Sequence, residues 1–168
     1  MHRLVPMQEE TSISFLFSLV IEFGWRWKIL AKLYANAKLV ENFRIDVDDG
    51  RAHAFCLDLA RGSGGTDMGP SALELALMSF AGCHATIFAL TASKMRIALK
   101  DLEIKVEGVK SEEAGTITEA KFDITVKADA PEDRIQRCQQ LTTEDCPVGK
   151  IFEKAVIKTI YNMKIEKR

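Results

Sequence analysis

The stretch SALELALMSFAGCHATIFALTASKM, residues 71–95, decides the fold class of this chain. Its length predicts one helix of about 37 Å at 1.5 Å per residue. Apolar residues occupy nearly every face of that helix, so the rest of the molecule must enclose it on most sides. A single sheet from one chain cannot cover all of those faces. We therefore expect a stable homodimer with an interface of the large, obligate class.

The residues before this helix predict two strands, an optional third strand and a loop. Residues 38–59, KLVENFRIDVDDGRAHAFCLDL, alternate on both sides of a DDG turn, which is a strong hairpin signal. The next residues, ARGSGGTDMGPS at 60–71, are rich in glycine and predict a loop. No G-K-[ST] sequence follows these glycines, so the loop does not have the pattern of a phosphate-binding site.

The residues after the helix predict a second hairpin, a second helix and a final strand. DLEIKVEGVK and TITEAKFDITVKA, residues 101–110 and 116–128, alternate around a SEEAG turn. Pro131 stands at the first turn of a helix that runs toward Glu144. Residues 155–167 then predict the last strand. This order indicates an α+β domain in which an antiparallel sheet covers the long central helix.

The first 36 residues form a separate extension, and residues 37–168 form the main domain. Residues 13–34 are strongly apolar, but charged side chains interrupt them well short of the roughly 20 apolar residues that a membrane span requires. The positive charges follow the apolar run instead of preceding it, unlike those of a signal peptide. Alternation over residues 22–29 also fits a strand, so periodicity does not decide between the two structures. We favour a helix packed on the domain or on a partner chain over a membrane-surface segment, and we expect no integral membrane span.

Charge and cysteine content argue against several classes of protein. The net charge of −1 provides no electrostatic footprint for nucleic acid. Four cysteines without a C-x-x-C pair fit neither a disulfide scaffold nor a zinc finger, and they suit the reducing cytoplasm. Cys83 and His84 are adjacent, which is no workable spacing for metal ligands. We expect no metal and no cofactor.

Two motifs together resemble a known family. GPSALELALMSFAGC at residues 69–83 and TTEDCPVGK at residues 142–150 are similar to the motifs of the OsmC/Ohr family of cysteine-based hydroperoxide reductases. The matching features are the helix opening, the cysteine in mid-helix and the later cysteine followed by proline. The resemblance covers about residues 37–166 and keeps the order of the elements. It implies the OsmC-like fold, an antiparallel sheet wrapped around the long central helix, in an intertwined homodimer with sites at the subunit interface.

The resemblance also implies the roles of four residues. Cys83 matches the cysteine that attacks a hydroperoxide as a thiolate and becomes a sulfenic acid, and Cys146 matches the cysteine that condenses with it into a disulfide. Glu74 matches the family glutamate that orients an arginine. Glu41 occupies the position where we expect that arginine, so Arg44, the nearest one, is its candidate replacement.

The position of Glu74 on the helix leaves two interpretations open. Glu74 lies nine residues before Cys83, which puts it about 13 Å away and on the opposite face of a straight helix. It can therefore serve the site only across the dimer or through a kink. The alternative is that Glu74 compensates the partial positive charge at the helix N-terminus.

The remaining candidates have structural interpretations. His84 points about 100° away from Cys83 around the helix, so we expect a buried histidine with its hydrogen bonds satisfied. Cys56 in a strand and Cys138 on a helical face belong to no motif, and we expect both to be inert, small, apolar side chains.

The leading functional hypothesis is a thiol-dependent peroxidase that reduces organic hydroperoxides. The apolar helix predicts a preference for fatty or aromatic peroxides over hydrogen peroxide. A small dithiol, or a lipoylated or thioredoxin-like protein, would regenerate the thiols. The displaced arginine leaves an alternative open, a non-catalytic ligand-binding or stress-related dimer of the same fold.

Overall fold

The computed structural model describes residues 32–154. The chain divides into two compact units, Met1–Tyr34 and Ala35–Arg168, and the strands and helices below all belong to the second. The predicted N-terminal helix and the predicted strand at residues 155–167 lie outside the described residues, and both stay predictions.

The long apolar stretch forms helix α1, Ala72–Lys94, as its sequence predicts. Its first turn is closed by a capping box, in which the Ser71 N–H donates to Glu74 Oε2 at 2.7 Å and the Glu74 N–H donates to the Ser71 hydroxyl at 3.4 Å. The helix ends before Arg96, which adopts a left-handed φ of 55°. By length and composition alone α1 could also cross a membrane, but the core helix of a soluble protein passes the same test.

The two strands after α1 form one long antiparallel hairpin, as predicted. Strand β4, Ala98–Ser111, pairs with strand β5, Thr116–Asp129. Alternate residues such as the pair Ile104 and Ile124 form a half-buried apolar face, and β4 packs against α1. The other face is exposed and carries cross-strand pairs of opposite charge: Asp101–Lys127, Lys105–Asp123 and Glu107–Lys121. One face of this hairpin is therefore core and the other is solvent.

The core lies between α1, the hairpin and helix α2, Glu132–Asp145. Its buried members are Phe88, Ala92, Ile97 and Cys138. Burying a side chain as large as phenylalanine contributes about 1.5–3 kcal/mol, so the second half of α1 anchors the domain.

The residues before α1 form three strands, so the optional third strand of the sequence-based order is present. Strand β1, Asn36–Glu41, and strand β2, Arg44–Asp48, are joined by a tight turn at Asn42, whose φ of 50° is left-handed. Strand β3, Ala54–Leu57, follows the predicted DDG turn. Asparagine tolerates the left-handed region better than most residues, and its place inside an alternating run conceals the turn.

The strands of the described residues belong to two antiparallel sheets. The first has the order β1-β2-β3 and the second consists of β4 and β5. Within residues 32–154 the expected single sheet around α1 is therefore divided in two.

The glycine-rich loop is organised by one buried carboxylate. Asp58 is 3% exposed and accepts hydrogen bonds from the Thr66 hydroxyl at 2.6 Å and from the N–H groups of Leu59, Thr66 and Met68. The Thr66 hydroxyl is the main cause of a lowered pKa, about 2, for Asp58, and the backbone donors add to it against the opposing effect of burial. The predicted loop is confirmed. It is held by these hydrogen bonds and contains a short 3₁₀ turn at Arg61–Ser63.

Helix α3, Pro147–Lys154, has no counterpart in the prediction. It begins directly after α2, and proline suits a first helical position because it has no N–H to leave unpaired. The motif DCPVGK thus joins two helices.

One face of α1 stays open in this part of the chain. Met78 and Leu90 are 57% and 52% exposed, and Gly82 and Thr86 between them are exposed as well. These positions recur every four residues and share one side of the helix. Residues 32–154 of one chain therefore do not enclose α1 on most sides.

Candidate active site

Two cysteines that lie 63 residues apart in the chain meet in the structure. Cys83 stands in the middle of α1, and Cys146 stands at the junction of α2 and α3. The Cys146 thiol donates toward the Cys83 Sγ at 3.5 Å. Both thiols are free. Since the S–S bond of a disulfide measures about 2.05 Å, the two sulfurs need to approach by only about 1.5 Å to form one.

Pro147 determines how Cys146 is held. A residue before proline is kept away from helical angles, and Cys146, with a ψ of 110°, ends α2. The same residue begins α3, because the Gly149 N–H donates to the Cys146 Sγ at 3.4 Å. Gly149 permits this close packing, since a Cβ there would lie 3.5 Å from that sulfur and 3.2 Å from the Phe80 ring.

Burial sets the protonation state of Cys146. The residue is 1% exposed, and the loss of water raises the pKa of its thiol above the ordinary value. The N–H groups of Gly149 and Val148 oppose this shift, and the neighbouring Cys83 sulfur adds to it. Cys146 is therefore a neutral thiol at neutral pH and serves as the hydrogen-bond donor to Cys83.

A cavity of about 370 Å³ opens beside Cys146. Its remaining lining residues are Phe80, His84, Ala120, Phe122, Gln139, Thr143, Gly149 and Glu153. The Phe80 ring packs edge-on against Phe122 at 4.6 Å between centroids and stacks on Phe152 at 4.7 Å. The thiol that lines this cavity is Cys146 and not Cys83.

His84 and Gln139 form the polar wall of the cavity. The imidazole is 4% exposed, and its Nε2 lies 3.2 Å from Gln139 Oε1 and 3.1 Å from Gln139 Nε2. The Gln139 amide nitrogen also donates to Thr143 Oγ1 at 3.3 Å, and the tautomer of His84 decides whether Nε2 donates to Oε1 or accepts the second amide N–H. His84 is thus the buried, hydrogen-bonded histidine that the sequence predicts, and it also lines the cavity beside Cys146.

Most of the cavity residues escape prediction from sequence. Phe80 and His84 are one turn apart on α1, and Gln139 and Thr143 are one turn apart on α2, so each pair could be assigned to one helix face. Nothing in the sequence indicates that these two faces meet, or that Glu153 belongs to a helix beside them.

Glu74 acts at the N-terminus of its own helix, which is the second of the two interpretations given above. Its carboxylate accepts the Ser71 N–H in the capping box, and this backbone hydrogen bond is the main cause of a lowered pKa for Glu74. Glu74 lines other depressions, near Met78 and Pro70, and not the cavity beside Cys146. The structure of one chain therefore does not bring Glu74 together with the thiol pair at that cavity.

Arg44 is paired at the turn between β1 and β2. Its guanidinium lies 3.5 Å from the Glu41 carboxylate, the residue that occupies the expected arginine position. Neither Arg44 nor any other lysine or arginine of the described residues lines the cavity beside Cys146. The described residues that line this cavity therefore supply no cation to stabilise a thiolate there.

The order of the motifs and the geometry of the thiols agree with a comparison against protein families. The family model described as OsmC-like protein matches residues 64–160, which include α1, both thiols and the β4–β5 hairpin. The chain belongs to the OsmC-like family. No curated protein matches it.

Solved structures are similar to this OsmC-like chain in fold. A structural-genomics structure is 27% identical with a TM-score of 0.65, over 73% of this chain and 90% of that chain. An OsmC-like protein from Mycoplasma pneumoniae is 18% identical with a TM-score of 0.67, over 75% and 90%. The organic hydroperoxide resistance protein OsmC from Legionella pneumophila is 20% identical with a TM-score of 0.54, over 76% and 93%. These similarities support the α+β fold with antiparallel sheets.

The other two cysteines of this OsmC-like chain lie away from the cavity. Cys138 is fully buried, donates to the Phe88 carbonyl at 3.7 Å, and has a thiol pKa raised by burial. Cys56 is half-buried in β3 and donates to the Leu57 carbonyl at 3.4 Å. Among residues 32–154 no group of three or more His, Cys, Asp or Glu side chains could hold a metal ion.

Proposed function

We propose that this OsmC-like protein reduces organic hydroperoxides by cysteine chemistry. The observation that carries the proposal is the 3.5 Å distance between the Sγ atoms of Cys83 and Cys146. Two thiols at that distance can store two electrons and release them as a disulfide forms. Membership of the OsmC-like family, and the name of the Legionella pneumophila relative as an organic hydroperoxide resistance protein, support the same function.

The proposed reaction has two steps. The Cys83 thiolate attacks the terminal oxygen of the hydroperoxide, the O–O bond breaks, and the alkoxide leaves and takes up a proton to become an alcohol. Cys83 is then a sulfenic acid, and the Cys146 sulfur displaces its hydroxyl as water, so that a disulfide forms. Two thiols are oxidised, and ROOH is reduced to ROH and water.

The open face of α1 supports an organic substrate and a homodimer. Met78 and Leu90 are exposed apolar side chains of this face, and the exposed Ser79 and Thr86 lie one turn from Cys83. A second copy of the chain would cover this face and turn it into an interface pocket with apolar walls beside the half-buried Cys83. Such walls stabilise a fatty or aromatic group and gain nothing from hydrogen peroxide.

The proposal assigns Arg44 and Glu74 to the assembled homodimer. Within one chain the capping box holds Glu74, and Glu41 holds Arg44. In the intertwined dimer of the family, a site at the interface can collect residues from both copies. We therefore propose that Arg44 stabilises the Cys83 thiolate, and Glu74 orients the arginine, only across that interface.

A dithiol completes the proposed cycle. A small dithiol, or a lipoylated or thioredoxin-like protein, reduces the Cys83–Cys146 disulfide in the cytoplasm. The cycle includes no metal, organic cofactor or nucleic acid.

Turnover of cumene hydroperoxide with dithiothreitol tests the proposal. Cys83→Ser removes the attacking sulfur and is expected to lower turnover to the uncatalysed rate, and Cys146→Ser should prevent sustained turnover. Cys56→Ser is the matched control, because that thiol lies away from the cavity, and it should keep the wild-type rate. Turnover that survives in Cys83→Ser, or its absence in the wild type, would contradict the proposal.

The arrangement of charges favours a second candidate, a non-catalytic ligand-binding dimer. Glu41 already neutralises Arg44, and the cavity beside Cys146 has no cation among the described residues that line it. The rate of Cys83 alkylation by iodoacetamide at neutral pH separates the candidates. A peroxidase requires rapid alkylation of Cys83 that slows in Arg44→Ala, whereas slow alkylation that is insensitive to Arg44→Ala favours the binding dimer.

A further inference from the structure

We propose that the cavity beside Cys146 is the docking site of the reducing dithiol, and that the dithiol attacks the sulfur of Cys146 rather than that of Cys83. The inference rests on the proposed function, because it concerns the step that reopens the Cys83–Cys146 disulfide. In this scheme the reductant approaches Cys146 from the cavity, and the hydroperoxide approaches Cys83 from the open face of α1.

The two thiols face different spaces. Cys146 lines the 370 Å³ cavity between α1, α2, α3 and β5, and Cys83 does not. Cys83 is half-buried and borders the open face of α1, where Ser79 and Thr86 are exposed. A molecule in the cavity therefore reaches Cys146 first, and a molecule at the open face of α1 reaches Cys83 first.

The burial of Cys146 makes the cavity its route of access. The residue is 1% exposed, and the cavity is the space that its side chain borders, so a reductant approaches its sulfur through the cavity wall. The cavity is large enough for a small dithiol, and a side chain at Gly149 would press on the Phe80 ring and lie against the Cys146 sulfur. The rate of thiol–disulfide exchange depends on which sulfur the attacking thiolate can reach. A thiolate in the cavity can reach the sulfur of Cys146.

The walls of the cavity define the class of dithiol. Phe80 and Phe122 offer apolar surface to a short carbon chain, and His84 and Gln139 offer polar partners to its hydroxyl, amide or amine groups. Glu153 adds a carboxylate at this cavity and at an adjoining depression that Glu119 also lines. None of the described residues lining either space is lysine or arginine. The preferred reductant is therefore an uncharged or cationic dithiol, and an anionic thiol such as glutathione is disfavoured.

The proposed exchange has two steps. One thiolate of the dithiol attacks the Cys146 Sγ, the Cys83–Cys146 bond breaks, and Cys83 leaves as a thiolate. The second thiol of the reductant, as its thiolate, then attacks the reductant sulfur of the mixed disulfide, and Cys146 leaves and takes up a proton. The protein regains two thiols, and the dithiol is oxidised to its cyclic disulfide.

The first test maps the attacked sulfur. The disulfide is formed with diamide, which requires no peroxidase activity, and is then treated briefly with the monothiol cysteamine and quenched in acid. We expect the earliest mixed disulfide on Cys146, with Cys83 recovered as the free thiol. An adduct that forms first on Cys83, or equally on both, would overturn the proposal, and so would a disulfide that diamide cannot form.

The second test closes the cavity at the sulfur. Gly149→Ala places a methyl group 3.5 Å from the Cys146 Sγ, and we expect dithiothreitol to reduce the diamide-formed disulfide several-fold more slowly in this variant. Gly62→Ala is the control, because a Cβ there meets nothing within 4 Å. Far-ultraviolet circular dichroism checks that both variants are folded. A wild-type rate in folded Gly149→Ala would contradict docking in the cavity.

The third test measures whether the cavity prefers a cationic to an anionic dithiol. Dithiobutylamine, which is cationic, is compared with dimercaptosuccinate, which is anionic, each corrected for its rate on a small unhindered disulfide. Glu153→Gln should lower the cation-to-anion rate ratio about two- to fivefold, as expected for one partly exposed charge pair. Glu144→Gln removes an exposed carboxylate that does not line the cavity and should leave the ratio unchanged. An unchanged ratio in Glu153→Gln would refute the charge selection.

These tests separate the two proposals. A protein that forms the disulfide with diamide but not with a hydroperoxide lacks the proposed function, and the three tests still decide where a thiol attacks it. A protein that oxidises with hydroperoxide but is attacked at Cys83 keeps the proposed function and loses this inference.

Discussion

Asp58 holds the glycine-rich loop in place as a hydrogen-bond acceptor. Its carboxylate receives the Thr66 hydroxyl at 2.6 Å and three backbone N–H groups between residues 59 and 68. Only the ionised form can accept all of these bonds at full strength. The structure of the loop that leads into α1 is therefore linked to the charge of this one residue.

The ionisation of Asp58 should therefore make the free energy of unfolding depend on pH. Its folded pKa, about 2, lies below the ordinary value of 3.8, so the ionised carboxylate stabilises the fold above about pH 4. That contribution is lost as the pH falls through the folded pKa near 2. Urea unfolding between about pH 4 and 2 should show a decline in the free energy of unfolding that is smaller in Asp58→Asn.

An exposed aspartate provides the control for this prediction. Asp46→Asn changes an exposed residue of β2 and should leave the acid decline as in the wild type. If Asp58→Asn keeps the full decline, the carboxylate does not hold the loop.

The elements differ in how far their sequences predict them. Residues 71–95 are a long, uninterrupted apolar run and the β4–β5 hairpin alternates around a turn, so their structures follow from length, alternation and turn residues. Asn42 divides one alternating run into β1 and β2 with a single left-handed residue, which periodicity does not register. The segment Pro147–Lys154 contains proline and glycine, which favour a turn, yet it forms α3 because Pro147 occupies the first helical position, where its missing N–H has no partner to lose.

The capping box of α1 supports a prediction that separates two roles of Glu74. Ser71→Ala should lower the free energy of unfolding by about 1 kcal/mol, because the Glu74 N–H loses its acceptor. Glu74→Gln should lower it less, because glutamine also serves at this position of a capping box. Chemical unfolding measures both changes.

Hydroperoxide turnover by the same two variants tests the second role. If Glu74 also orients an arginine across the dimer, Glu74→Gln lowers turnover and Ser71→Ala does not. Turnover that is unaffected in Glu74→Gln would leave Glu74 with the capping role alone.

The thiol site is a property of the whole molecule. It joins the middle of α1 to the junction of α2 and α3, and β5 supplies Phe122 to the cavity beside it. The two cysteines could be selected from sequence because both belong to motifs that resemble one family. Gln139 and Glu153 could not, because their proximity depends on how four elements pack and not on spacing within any one of them.

Peptide mapping after oxidation with one equivalent of cumene hydroperoxide tests the central claim most directly. We predict one intramolecular disulfide between Cys83 and Cys146, whose sulfurs lie 3.5 Å apart before oxidation. Cys146→Ser should instead accumulate sulfenic or sulfinic acid at Cys83, and Cys83→Ser should stay unmodified. A disulfide that contains Cys56 or Cys138, or the absence of any disulfide in the wild type, would contradict the account.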